Sequence, residues 1–216
     1  MFANKKVIFR LSQYRQALFK FKELGFAKVF SDTLGDAIGV TSVQVRKDFS
    51  LFGITGNKRG GYQVDALIKN LQSILGKDQP QEVILVGAGD VGSALIKYKN
   101  FENESIKIVA GFDIDPAKIN CKLRVPVLPM SDMGRFVRER GIKVGIIAVP
   151  DVAAQEVFDQ MVACGIQGIL NFAPIRFRGA DGFVINNVNL QIEIENIIYF
   201  VNAMQKPANL IHGDPA

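Results

Sequence analysis

Apolar residues recur at spacings of three and four through Leu11, Tyr14, Leu18, Phe21 and Leu24, which predicts an amphipathic helix over about residues 10 to 24, stopped by Gly25. Ser31 reads as the N-cap of a short second helix ending at Gly39. Thr41 or Ser42 then caps a third helix over 43–52, closed at Gly53, with Val45, Phe49 and Phe52 on one face. Two short helices joined by a glycine-containing turn make a helix-turn-helix pattern. The basic, glycine-rich segment from Gly56 to Tyr62 reads as a hairpin, hence a wing. A further helix over 64–75 and a turn-rich stretch complete this half, with a domain boundary expected near 77–81.

Beyond that boundary the rhythm changes. Val83 to Val86 is a short apolar run suited to a strand buried on both faces, followed by Gly87 and a helix running through Tyr98. Lys107 to Phe112, Val144 to Val149 and Gly168 to Phe172 read as further strands, with a helix from Asp151 to Cys164 between the last two. Val184 to Val188 suits an edge strand, and Leu190 to Met204 a last amphipathic helix. Strands alternating with helices indicate a parallel, doubly wound sheet. The expected fold is therefore α/β: a winged helix-turn-helix domain over 1–77, a linker over 78–81, a Rossmann domain over 82–188, a terminal helix over 189–204 and a tail over 205–216. No apolar run approaches the roughly 20 residues that a membrane helix needs, and the N-terminus lacks a long apolar stretch, so a soluble cytoplasmic protein is expected.

Charge divides the chain at the same place. The 216 residues carry 26 Lys and Arg against 21 Asp and Glu, a net of +5. Residues 1–77 hold 13 basic and 5 acidic residues, net +8, while 78–216 hold 13 basic and 16 acidic, net −3. Two cysteines, Cys121 and Cys164, and one histidine, His212, are too few for a disulfide framework or a His/Cys zinc site, so no metal is expected.

Gly87-Ala88-Gly89-Asp90-Val91-Gly92 matches GxGxxG between a predicted strand and a predicted helix. Gly87 permits the turn, Gly89 lets backbone approach a pyrophosphate, Gly92 lets the helix pack on the strand, and the helix N-terminus favours the negative charge. Asp113 ends the next strand 21 residues after Gly92, the spacing of the carboxylate that bonds an adenosine ribose. A carboxylate there repels a 2′-phosphate, so the expected cofactor is NAD(H). Asp90 is expected to point outward. The single histidine lies near the C-terminus, and too little chain follows the cofactor strands for a substrate domain, which favours sensing over catalysis, with no catalytic residue assigned.

In a helix-turn-helix the second helix enters the major groove. Gln44, Arg46, Lys47 and Ser50 are placed to meet DNA there, and Lys58, Arg59 and Gly60 of the wing to reach an adjacent minor groove. Two other readings stay open: an NAD-dependent oxidoreductase with a basic accessory domain, and a non-specific nucleoid-type binder with a vestigial Rossmann fold.

The two halves together resemble the Rex family of bacterial redox-sensing transcriptional repressors. The matching segments are Arg10-Leu11 with Tyr14, Val45 to Ser50 followed by Phe52-Gly53, Gly61-Tyr62, the Gly87 to Gly92 loop with Ser93-Ala94-Leu95, Phe112 to Asp115, Val149-Pro150, Gly165-Ile166 and Gly168 to Pro174. The resemblance implies a homodimer with its last helix swapped between subunits, binding an inverted-repeat DNA operator and leaving it when NADH binds. It places the Gly87 to Gly92 loop and Asp113 on the phosphates and ribose, and Val149, Pro150, Asn171 and Ala173 around the nicotinamide half. It also puts Tyr98 near the dimer interface as part of the switch. The chain departs from the family where an Asp commonly leads into the last helix, since Asn189 stands there before Leu190, and at the first-helix partner position, where Gln16 follows Arg15. A charged pair cannot form between Asn189 and Gln16. The basic pair of the wing also lies one place later than usual.

Overall fold

The computed structural model describes residues 4–57, 60–119, 124–177 and 182–205. Lys58, Arg59, Cys121, His212 and the tail beyond Gln205 lie outside the described residues. The chain divides into two compact units between Gln81 and Glu82, close to the change in charge.

In the first unit, α1 (Lys5–Glu23) begins five residues before the expected start. The Asn4 side chain caps it by accepting the Lys6 N–H at 2.9 Å, and Val7 joins the buried face. α2 (Ser31–Ile38) and α3 (Ser42–Ser50) form the helix-turn-helix, joined through Gly39 in the left-handed region. Ser31 is the first helical residue rather than the cap, a place taken by Phe30. Thr41 does cap α3, accepting the Gln44 N–H at 3.2 Å, and α3 ends at Ser50, short of Phe52. Gly35 of α2 leaves no room for a Cβ against the Val40 carbonyl, so the two helices close on each other through a glycine. α4 (Val64–Ile74) packs on α1. The expected hairpin is a smaller device. β2 (Tyr62–Gln63) pairs antiparallel with β1 (Lys28–Val29), and Asn57 and Gly61 form an isolated antiparallel bridge.

One carboxylate is buried in this core. Asp48 of α3 accepts a two-pronged hydrogen bond from Arg10 of α1 (Nε 2.6 Å, Nη2 2.7 Å), one from the Tyr14 hydroxyl at 3.1 Å and one from Gln44 Nε2 at 2.7 Å. Four donors saturate its two oxygens. Burial pushes its pKa up, but the Arg10, Gln44 and Tyr14 donors outweigh burial and hold it below the ordinary value. The Tyr14 ring stacks edge-on against Phe49, and Phe49 against Tyr62, each at 5.2 Å, so the polar cluster and the aromatic core are continuous.

The second unit is a six-stranded sheet in the order β5-β4-β3-β6-β7-β8, with β3 (Gln81–Val86), β4 (Ile106–Asp113), β5 (Val127–Pro129), β6 (Val144–Ile147), β7 (Gly168–Asn171) and β8 (Val184–Asn187). In chain order this is the 3-2-1-4-5-6 arrangement of dinucleotide-binding folds, with the reversal between β3 and β6. Gln81, expected in the linker, already belongs to β3. β3 alternates between two cores: Ile84 and Val86 pack with Phe112 and Ile147, and Val83 and Leu85 with Ile108 and Ile146. Helices α5 (Asp90–Lys97), α7 (Met133–Arg140) and α8 (Asp151–Ala163) flank the sheet. A short α6 (Asn100–Asn103) precedes β4.

The sequence pattern misses β5 and α7. β5 is three residues long and ends in Pro129, while α7 carries Arg135, Arg138, Glu139 and Arg140 and buries only Met133 and Val137. The last helix, α9 (Leu190–Gln205), extends one residue beyond its expected end and buries none of its side chains. Among the described residues no helix is long and apolar enough to cross a membrane, and no three metal-ligating side chains cluster.

Because the Asp48 pKa is depressed on folding, its contribution to stability is full above the ordinary carboxylate pKa and is lost as pH falls through the depressed value. Asp48→Ala, which leaves Arg10 without its partner, is expected to cost about 3 kcal/mol of stability. Chemical denaturation of the variant should show that loss at neutral pH, together with a shallower acid slope than the wild type.

Candidate functional site

The carboxyl ends of β3, β4 and β6 meet at the strand-order reversal, and a cleft of about 570 Å³ opens there. Gly87, Gly89, Asp90 and Val91 form one wall, Asp113 to Asp115 with Lys118 a second, and Ala148, Val149 and Pro150 a third. The three loop glycines are required for different reasons. Gly87 has a φ of 96°, and a Cβ there would run into the Ala148 carbonyl. A Cβ at Gly92 would strike the Gly87 carbonyl oxygen. At Gly89 a Cβ would meet nothing within 4 Å, so the fold itself does not need that glycine. It stands at the N-terminus of α5 and faces the cleft, where a bound phosphate would lie against bare backbone.

Asp113 is 7% exposed and shapes the second wall. Its Oδ2 accepts the Ala88 N–H at 2.7 Å, its Oδ1 accepts the Asp115 N–H at 2.9 Å, and Lys118 Nζ stands 3.6 Å away. Burial pushes its pKa up. The Asp115 and Ala88 N–H groups and the Lys118 charge more than offset this, so it stays below the ordinary value and ionised at neutral pH.

Several expected residues are placed otherwise. Asp90 is exposed and stands at the mouth of the cleft, as the first residue of the helix whose N-terminus faces that space. Asn171 and Ala173 do not line the cleft; Phe172 and Pro174 do. Successive residues after β7 face opposite ways, and Asn171 turns inward to donate to the Ile175 carbonyl at 2.7 Å and to Asn187 Oδ1 at 2.9 Å, bracing β7 on β8. Ala88 and Gly92 lie behind the wall they support. Lys118, a basic residue five positions after the ribose-type carboxylate, joins this wall, and that spacing is its signal in the sequence.

On α3, Arg46 and Lys47 are exposed, and Arg46 Nη1 donates to Ser31 Oγ at 2.9 Å. The Ser50 hydroxyl donates to the Lys47 carbonyl at 2.8 Å. Gln44 is half-buried, with its amide nitrogen on Asp48. In the loop, the Gly60 N–H donates to the Asn57 carbonyl at 3.2 Å.

Residues 5–50 match a family described as "Putative DNA-binding protein N-terminus", and residues 78–175 one described as "CoA binding domain". Redox-sensing transcriptional repressor Rex of Desulforamulus reducens is 38% identical over 200 residues, covering 92% of this chain and 95% of that protein. The Rex repressor of Pelotomaculum thermopropionicum is 40% identical over 200 residues, covering 92% and 93%. The chain belongs to the Rex family. The crystal structure of RSP, a Rex-family repressor, in complex with β-NAD⁺ and operator DNA aligns with a TM-score of 0.89 at 32% identity, covering 95% of each chain. RSP in complex with β-NADH aligns at 0.83, with 32% identity over 95% of this chain and 97% of that one.

The residues expected at the switch have their own local partners. Asn189 Oδ1 accepts the Ile192 N–H at 3.1 Å and so caps α9, which an Asp would do equally well. Leu190 is exposed. Tyr98, at the end of α5, is 53% exposed; its hydroxyl accepts from Asn100 and its ring meets Phe101 edge-on at 5.1 Å. Gln16 is exposed. Arg15 is 2% exposed, its guanidinium 5.2 Å from the Phe19 ring. One helix position separates the two fates, because α1 carries them 100° apart.

The contrast between the loop glycines gives a direct check. Gly92→Ala should lower stability by about 1–3 kcal/mol through the clash with Gly87, whereas Gly89→Ser, at an N-cap with open space beside it, should stay within about 0.5 kcal/mol of wild type in denaturant titrations.

Proposed function

We propose that this protein is a redox-sensing transcriptional repressor. It binds an inverted-repeat operator through α3 and the basic loop at 56–62, and it releases that DNA when NADH occupies the cleft of the second unit. The observation that carries the reading is that a ligand-facing glycine loop backed by the ionised Asp113 shares one chain with a helix-turn-helix unit, residues 1–77, whose net charge is +8. Relatives at 38% and 40% identity named as redox-sensing repressors support it. The reading assigns the cleft to sensing rather than turnover, and acting on DNA places the protein in the cytoplasm.

The residues present suit NAD(H). Gly87, Gly89 and the α5 N-terminus would hold the pyrophosphate, Asp113 the adenosine ribose, and Val149 and Pro150 the nicotinamide half, with Phe172 and Pro174 beside them. A bound dinucleotide supplies the redox signal by its own oxidation state. Coenzyme A shares the adenosine 5′-pyrophosphate but adds a ribose 3′-phosphate that Asp113 would repel, so it is the ligand against which NADH must be compared.

α9 supports a homodimer. Ile194, Ile197, Phe200 and Val201 are all exposed along it, and a second copy of the chain, exchanging this helix, would cover them. Arg46 and Lys47 would meet the major groove and Lys58 and Arg59 the minor groove, once in each half of a two-fold operator.

Gel-shift titration of inverted-repeat DNA with NADH, NAD⁺ and coenzyme A tests this reading. Sequence-specific binding lost preferentially with NADH is expected; binding indifferent to all three, or release by coenzyme A alone, would overturn it. Asp113→Ala should bind the operator without nucleotide as wild type does and lose its response to NADH, and unchanged release by that variant contradicts the site assignment.

A further inference from the structure

We propose that Gln44, locked in one orientation by the buried Asp48 carboxylate, reads an adenine in each operator half-site. This rests on the DNA-binding reading above and adds to it the base that one side chain selects.

Gln44 is the third residue of α3, the second helix of the helix-turn-helix, whose N-terminal residues are those that reach base edges in the major groove. A free glutamine amide can turn over and present its oxygen and nitrogen in either order. Gln44 cannot. Asp48 already accepts Arg10 Nε and Nη2 at 2.6 and 2.7 Å and the Tyr14 hydroxyl at 3.1 Å, and its remaining acceptor site takes Gln44 Nε2 at 2.7 Å. An ionised carboxylate has no proton to give, so turning the amide over would set its carbonyl oxygen against a carboxylate oxygen at hydrogen-bond distance. The nitrogen is therefore fixed inward. The bidentate Arg10 grip fixes the carboxylate in turn, and Asp48 is fully buried, so the arrangement does not depend on a mobile surface contact.

What remains for DNA is the Oε1 acceptor and one N–H. Adenine offers the N6 amino donor beside the N7 acceptor, which matches that pair. Guanine offers O6 and N7, both acceptors, and would need both amide protons, one of which is spent on Asp48. Cytosine offers only a donor and thymine only an O4 acceptor, so neither makes both bonds. Asp48 is thus a positioning residue: it does not reach the base, but it decides which glutamine edge does.

The test is selection of inverted-repeat duplexes with randomised half-sites by the full-length protein without nucleotide, using wild type, Gln44→Met and Asp48→Asn, with folding followed by circular dichroism. Wild type should enrich adenine at one position per half-site that Gln44→Met alone relaxes, losing about 5- to 100-fold in discrimination there with the salt dependence of binding unchanged. Asp48→Asn, with its amide nitrogen in the Oδ1 place, gives up the Arg10 Nη2 hydrogen bond, donates to Gln44 Oε1 and frees both Gln44 protons, so guanine should be admitted at that same position. If Asp48→Asn does not fold, the wild-type and Gln44→Met pair decides alone. Gln44→Met keeping every wild-type preference, the relaxed position being guanine, or a folded Asp48→Asn as strict for adenine as wild type would each overturn this inference. Wild type enriching no sequence would instead overturn the DNA-binding reading beneath it.

Discussion

The hydrogen bond from the Ala88 N–H to the Asp113 carboxylate, 2.7 Å long, ties the glycine loop after β3 to the end of β4. It sets the two walls of the cleft at a fixed separation and keeps a negative charge at the one place where a ribose hydroxyl pair, but not a ribose phosphate, would be welcome. Around it the demands on sequence are strict. Gly87 and Gly92 are needed so that β3, β6 and α5 can approach, and Gly89 is left as backbone facing solvent. Lys118 then sits 3.6 Å from Asp113 and 4.0 Å from Asp115, moderating the acidity of that wall without covering it.

The first unit is organised by a carboxylate of the same kind. Asp48 joins α1 to α3 through Arg10 and Tyr14, so the helix proposed to meet DNA is indexed to the longest helix of its own unit. In both units a buried Asp with its acceptors filled by N–H and O–H donors fixes a functional surface. Loss of one partner would leave a desolvated charge, which is why such clusters specify one arrangement rather than several.

Much of this was legible in the sequence because periodicity and glycine spacing report directly on backbone demands. The helix-turn-helix, the GxGxxG loop, Asp113 at the end of its strand and the edge strand β8 all followed from such patterns. The elements and contacts without such a pattern have other causes. β5 and α7 are short or highly charged and are held by the sheet they join. Asn171 carries a residue type suited to a ligand, yet its side chain is consumed by Ile175 and Asn187, a pairing between strands that no local pattern encodes. Arg15 and Gln16 are adjacent in sequence and opposite in burial, and the tether of Gln44 to Asp48 leaves no local pattern in the sequence. Each depends on which neighbour claims a polar atom, and that is decided in three dimensions.

The central claim is that nucleotide in the second unit and DNA on the first are thermodynamically coupled, and coupling between two binding sites is reciprocal. The most direct measurement is the NADH dissociation constant of the full-length protein by titration calorimetry, with and without a saturating operator duplex. The account predicts that operator DNA weakens NADH binding by the same factor by which NADH weakens operator binding. An NADH dissociation constant unchanged by the operator would contradict it.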